Sequence, residues 1–288
     1  MVASRASWLI GATILLAGCG SSAPTVAPTS VTPVAAPLVE IAGQITDTVT
    51  GQLVGAFTQS GASLPARVTV SAPGYVTRET WATTSTPSVD LFPERGFDLG
   101  FYRQFARREL DNGGRVDPLR VWTAQPGVAL RAGLPAATVA ALEAVARQTI
   151  PALTGGRLSM QSWAVTGESS STGTVIDVEM VNEPDGTSCG RAEVGGRRIW
   201  LNRAPRCAWR GHPVYVPLLG HELGHVLGFS HVTAADALMS QARIREAGPS
   251  EMERYHAALA YARQPGNTDV DVDPPLGTRG TAVTVVVD

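Results

Sequence analysis

Lysine is absent from this chain, and all 23 of its basic residues are arginine. A solvated surface can use either cation, so the bias is read as coding preference and not as mechanism. An excess of charge of one sign is also missing. The 23 basic and 25 acidic residues are spread along the chain and leave a net charge of -2, which creates no field to gather nucleic acid and excludes it as a partner. Cysteine is scarce: Cys19, Cys189 and Cys207 are too few for a disulfide scaffold, so the fold must stand on its hydrophobic core. The material for a core is present, since 44% of the 288 residues are hydrophobic, enough for one large domain or two modest ones.

A membrane-spanning run is missing as well. After Arg5 the apolar stretch Trp8 to Ala17 is too short to span and reads as a secretory signal. It closes on Leu16-Ala17-Gly18-Cys19, which resembles the bacterial lipobox. That resemblance implies cleavage of a signal peptide, residues 1–18, acylation of Cys19, and a protein anchored by lipid at the periplasmic face or cell surface of a bacterial membrane. Residues 19–38 place Pro24, Pro28, Pro33 and Pro37 among small residues with no charge before Glu40, the composition of a semi-extended tether. Outside the reducing cytoplasm Cys189 and Cys207 can form a disulfide, and with Cys19 taken by lipid no thiol is left over.

Two folded regions follow. Residues 39–95 carry short β-prone stretches (39–46, 66–72 and 77–82) broken by Gly, Pro, Ser and Thr, the pattern of a small all-β sandwich. Gly43-Gln44-Ile45-Thr46-Asp47, the 50–56 turn, Ala72-Pro73-Gly74-Tyr75 and Val89-Asp90-Leu91-Phe92-Pro93 resemble the carboxypeptidase regulatory-like domain. No catalytic constellation lies there, so its role is that of a spacer or of a module that docks another protein or surface. Residues 96–264 mix α and β, giving an α+β class overall. A lead-in helix is expected over 97–110 and a strand at Leu119 to Thr123. Pro135 opens a helix to Ile150 from its first turn, and further strands are expected at 157–165, 174–181 and 198–202. Ser250 and Glu253 form a capping box for a last helix. The tail, 265–288, reads either as a loose segment or as one more strand.

The chemistry is concentrated in His221-Glu222-Leu223-Gly224-His225-Val226-Leu227-Gly228-Phe229-Ser230-His231. On a helix His221 and His225 project from one face and can reach one ion. A ligand six residues further on lies off that face, so the chain must turn, and Gly228 accepts the left-handed conformation that brings His231 back. Three neutral imidazoles leave a fourth tetrahedral position for water, the mark of a catalytic zinc, and Glu222 is placed to take a proton from that water.

The pattern H-E-x-x-H-x-x-G-x-x-H, with Met239 in Ala237-Leu238-Met239-Ser240 beyond it, resembles the metzincin metallopeptidases and their matrixin branch. The resemblance implies one Zn2+ on His221, His225 and His231, Glu222 as general base, Met239 as the Met-turn, and a protein or peptide substrate cut by a monomer. It also implies an antiparallel edge strand to which substrate adds, and Ile199, Trp200 and Leu201 are taken as that strand, with Cys189 and Cys207 bracketing it. Val232 and the Ser240-Gln241-Ala242-Arg243 run depart from the matrixin pattern, which leaves side-chain preference open. No cysteine-switch propeptide is visible. Six arginines between 191 and 210 form either a solvated rim or a preference for acidic substrates. Asp177, Glu179, Glu183 and Asp185 lack calcium spacing, so structural Ca2+ is not assigned, and His212 and His256 are read as surface or capping residues. Two rival functions are a binding lipoprotein with a non-proteolytic zinc site and a zinc hydrolase of cell-wall peptides.

Overall fold

Strand β1 (Val39–Asp47) alternates with period two: Ile41, Gly43, Ile45 and Asp47 point inward while Glu40, Ala42 and Gln44 face water. It pairs antiparallel with β2 (Leu53–Ala62), and its other side runs parallel to β5 (Ser88–Leu91), giving the order β2-β1-β5. Between them in the chain, β3 (Ala66–Val70) and β4 (Arg78–Ala82) form a separate antiparallel pair. The two small sheets share a core of Ile41, Ile45, Val68, Val70, Val89 and Leu91. The computed structural model describes residues 37–131, 133–167, 173–209, 212–241, 248–277 and 284–287, so the signal, Cys19 and nearly all of the tether lie outside the described residues.

The larger sheet has the order β13-β9-β10-β8-β6-β7. Its members are β6 (Gly127–Arg131), β7 (Ser162–Val165), β8 (Val175–Val181), β9 (Gly190–Val194), β10 (Arg198–Asn202) and β13 (Thr284–Val287). β7, β6, β8 and β10 run parallel, β9 is antiparallel to β10, and β13 is antiparallel to β9. Two short strands, β11 (Ala208–Trp209) and β12 (His212–Pro213), form a small hairpin before α3 (Tyr215–Val226), which packs on β9 and β10 with α2 (Ala136–Ala152) beside it. Leu130, Ile150, Ile176, Val178, Ile199, Leu201, Leu219 and Leu223 fill the space between sheet and helices, each stabilising by about 1.5–3 kcal/mol relative to exposure. Helix α1 (Leu99–Arg107) is capped by Asp98, whose carboxylate accepts from the Phe101 N–H, and α4 (Glu251–Tyr261) carries the expected capping box.

Two expectations are corrected. Leu119 to Thr123 joins no sheet among the described residues, because the Leu119 N–H donates to the Asn267 carbonyl and its own carbonyl accepts from Gly266, so a loop is its partner. Pro135 sits at the N-cap of α2, not in its first turn. Of the two readings of the segment after 264, the strand is present, as β13, and the chain before it is held from its start. Arg107, fully buried in α1, donates to the Asn267 side chain (2.6 Å) and to the carbonyls of Asn267, Thr268 and Val270. Arg263 pairs with Asp271 and Asp90, and Arg78 of β4 pairs with Asp90 and Asp273. These bonds cross both boundaries drawn at 95/96 and 264/265, and Pro37 to Asp288 forms one compact unit.

Candidate metal centre

Helix α3 is buried almost along its whole length, which its apolar residues Leu218, Leu219, Leu223 and Val226 require. The same helix carries His221, Glu222 and His225 into the interior, at 4%, 0% and 0% exposure. Polar groups so placed must be partnered, and the partners set the geometry. His221 Nδ1 lies 2.7 Å from the Leu238 carbonyl, and His225 Nδ1 lies 2.9 Å from the Phe229 carbonyl. A carbonyl oxygen only accepts, so each Nδ1 carries the proton and each Nε2 keeps the lone pair that a metal needs.

At Gly228 φ is +102°, and a Cβ there would drive into the backbone carbonyl of Arg120, so only glycine makes this turn. The Phe229 N–H then donates to the Gly224 carbonyl and the Ser230 N–H to the Phe105 carbonyl, while the Phe105 and Phe229 rings stack at 4.1 Å. Helix α1 thereby holds the return loop. His231 comes back to the helix with 5% exposure, and the ligand atoms of His221, His225 and His231 lie within 4.8 Å of one another. That donor set and spacing suit a divalent ion bound by three imidazoles.

Asp111 is the site residue that sequence reading missed. One of its oxygens lies 2.8 Å from His231 Nδ1 and the other accepts the His231 backbone N–H at 3.2 Å. Burial raises this carboxyl, but the bonds and charge of His231 outweigh that and hold it below the usual carboxylate range. An aspartate 120 residues away in an irregular segment carries no spacing signal, so only the fold reveals it.

Met239 is fully buried and packs on Gly224, the residue before His225. Its loop is braced twice. The Val232 N–H donates to the Met239 carbonyl, and Glu253 accepts from the N–H groups of Leu238 and Met239, both at 2.8 Å. Glu253, read from sequence as a helix cap, therefore also holds the carbonyl that orients His221.

Ile199, Trp200 and Leu201 do not form an edge. They lie in β10, between β9 and β8, with Ile199 and Leu201 fully buried. The strand over the Glu222 carboxylate is β9, where a Cβ at Gly190 would collide with that carboxylate and with Leu218. Its sequence Gly-Arg-Ala-Glu-Val is poor in β-branched and aromatic residues, which is why the pattern hid it. Cys189 and Cys207 are joined with Cα atoms 5.5 Å apart, and they enclose both β9 and β10. Among the rim arginines, Arg191 pairs with Glu183 and lies over the Trp200 ring, and Arg206 donates to the Ser188 carbonyl. Asp177 and Glu179 both pair with Arg131, so these acids serve an arginine. Among the described residues the three histidines are the one group able to hold a metal. His256 is buried: its Nε2 accepts from the Asp98 N–H, and burial lowers its affinity for a proton.

No family model matches the chain. No curated protein matches it either. Among solved structures it is similar to high choriolytic enzyme 1, a hatching enzyme zinc-protease from the medaka fish Oryzias latipes, at 13% identity over 50% of this chain and 96% of that one. The TM-score is 0.31, at which the likeness carries no weight for function.

Proposed function

We propose that this protein is a zinc-dependent endopeptidase of matrixin-like metzincin type, exported and anchored to a bacterial membrane through lipidated Cys19, with protein or peptide substrates. The observation that carries the reading is the convergence of three buried imidazoles, with ligand atoms within 4.8 Å, beside the fully buried carboxylate of Glu222 on the same helix. A non-proteolytic structural zinc would take a fourth protein ligand, and among the described residues the cluster contains three. The disulfide accords with export, and no described helix is long and apolar enough to cross a membrane.

A zinc ion on His221, His225 and His231 would supply Lewis-acid polarisation of the scissile carbonyl and an acidified water at neutral pH. The protein supplies the rest. The Leu238 and Phe229 carbonyls and Asp111 fix the three rings, so that the metal site is organised before substrate arrives. Glu222 Oε accepts the proton of the attacking water and returns it to the nitrogen of the departing amine. Gly190 leaves room for that carboxylate beneath β9, and Met239 packs against Gly224 of the same helix.

The test is cleavage-site profiling of a varied peptide library with the soluble chain from Gly20 beside its Glu222→Gln variant. Glu222→Gln is expected to keep its zinc and lose turnover by about a hundred-fold to ten-thousand-fold. His221→Ala is expected to lose the metal. A Glu222→Gln protein as active as the parent would sink the mechanism.

A further inference from the structure

The antiparallel strand beside Glu222 does not end the sheet. β13, Thr284–Val287, lies along the outer side of β9 with Thr284 opposite Val194, Val285 opposite Glu193, Val286 opposite Ala192 and Val287 opposite Arg191. Without β13, β9 would be an exposed edge whose N–H and C=O groups form a template for any extended chain. The register runs toward Gly190, the residue whose missing Cβ makes way for the Glu222 carboxylate. The segment therefore occupies the ladder positions that adjoin the candidate metal centre.

Its placement is backed by its approach. The preceding chain is pinned to β4: Asp273 is held by Arg78 and Thr80, and the Pro274 carbonyl accepts from the Trp81 ring N–H. From Pro274 to Thr284 is ten residues, a reach of at most about 36 Å, so β13 is tethered at high local concentration to β9. The strand sequence Thr-Val-Val-Val is also strongly β-forming.

We infer that Thr284–Val287 is an internal occupant of the edge on which a peptide substrate would pair, and that substrate must displace it. This rests on the peptidase reading above. β13 acts as a competing strand, which holds the enzyme below its full activity until the segment is released or removed.

The experiment compares the chain from Gly20 with its Val285→Pro/Val286→Pro variant and with a chain lacking residues 281–288. Neighbouring residues of an antiparallel strand alternate in hydrogen bonding, so two adjacent prolines remove a ladder N–H whichever face it uses. Both altered chains are expected to cut library peptides with kcat/KM raised roughly five-fold, mainly through a lower KM. A fluorescently labelled peptide of residues 281–288 is expected to bind the shortened chain, here carrying Glu222→Gln, and not the parent. Equal kcat/KM in all three active chains, or failure of the labelled peptide to bind the shortened chain, overturns the inference. If none of the zinc-loaded chains cuts any peptide while the labelled peptide still discriminates between them, the peptidase reading falls and the competition with substrate falls with it, leaving only a strand pairing.

Discussion

Asp111 shows how much a candidate metal ligand depends on a residue outside the histidine cluster. A single carboxylate bonds both His231 Nδ1 and the His231 backbone N–H, fixing ring orientation and loop position together. Asp111→Ala leaves the ring free to turn and removes the charge that favours ligation. Zinc affinity is expected to fall about ten-fold to a hundred-fold, measured by competition with a chelator, in a protein that remains folded. Unchanged affinity would mean that the loop alone positions His231. The role proposed for Glu222 is different, a proton transfer, so its loss is expected to be felt in turnover and not in metal binding.

Among the elements, α4 reaches the site without contributing a ligand. Its capping residue Glu253 is fully buried and accepts from Ser250, Leu238 and Met239, joining the helix terminus to the loop whose Leu238 carbonyl meets His221. Glu253→Gln exchanges one accepting oxygen for an NH2 group and leaves a buried backbone N–H without an acceptor. The expected cost is about 1–3 kcal/mol of stability, read as a fall in Tm, together with weaker zinc binding because the Leu238 carbonyl loses its support. A variant with lowered Tm but intact zinc affinity would confine Glu253 to the capping role. Strands β9 and β10 illustrate the opposite case, in which the more β-prone sequence lies inside the sheet and the weaker one lies over Glu222.

Across the whole molecule the N-terminal sheets, α1 and the 267–274 segment are tied by a chain of buried and half-buried ion pairs. Asp90 is central to it, contacting Arg78 and Arg263 at 2.6 Å each. Burial alone would raise its pKa, but the two guanidinium groups prevail and bring it down to about 2. A carboxyl more acidic in the folded state than in the unfolded chain stabilises fully above the unfolded value near 3.8 and progressively less as the pH falls toward 2. Denaturant unfolding between pH 6 and pH 2 is expected to show stability falling over the lower part of that range. Asp90→Asn is expected to be less stable at pH 6 and to have a shallower acid slope. Parallel curves for the two proteins would assign the acid sensitivity to other groups.

The clustering of the three histidines near Glu222 and the turn at Gly228 were legible in the sequence because they lie within one helix and one loop, where spacing alone dictates which side chains share a face. The α4 capping box and the pairing of Cys189 with Cys207 were legible for similar reasons of short range and small number. Long-range pairing was not. Which strand lies over Glu222, what holds His231, where Glu253 sends its second oxygen and what covers β9 all depend on residues far apart in the chain. A strand's neighbours are chosen by sheet order and packing, so β10 was mistaken for the edge and Asp111 carried no local sign. The sequence determined the chemistry that one helix can offer; only the tertiary structure decided which backbone and which carboxylates surround it, because those contacts exist only once distant segments have been packed together.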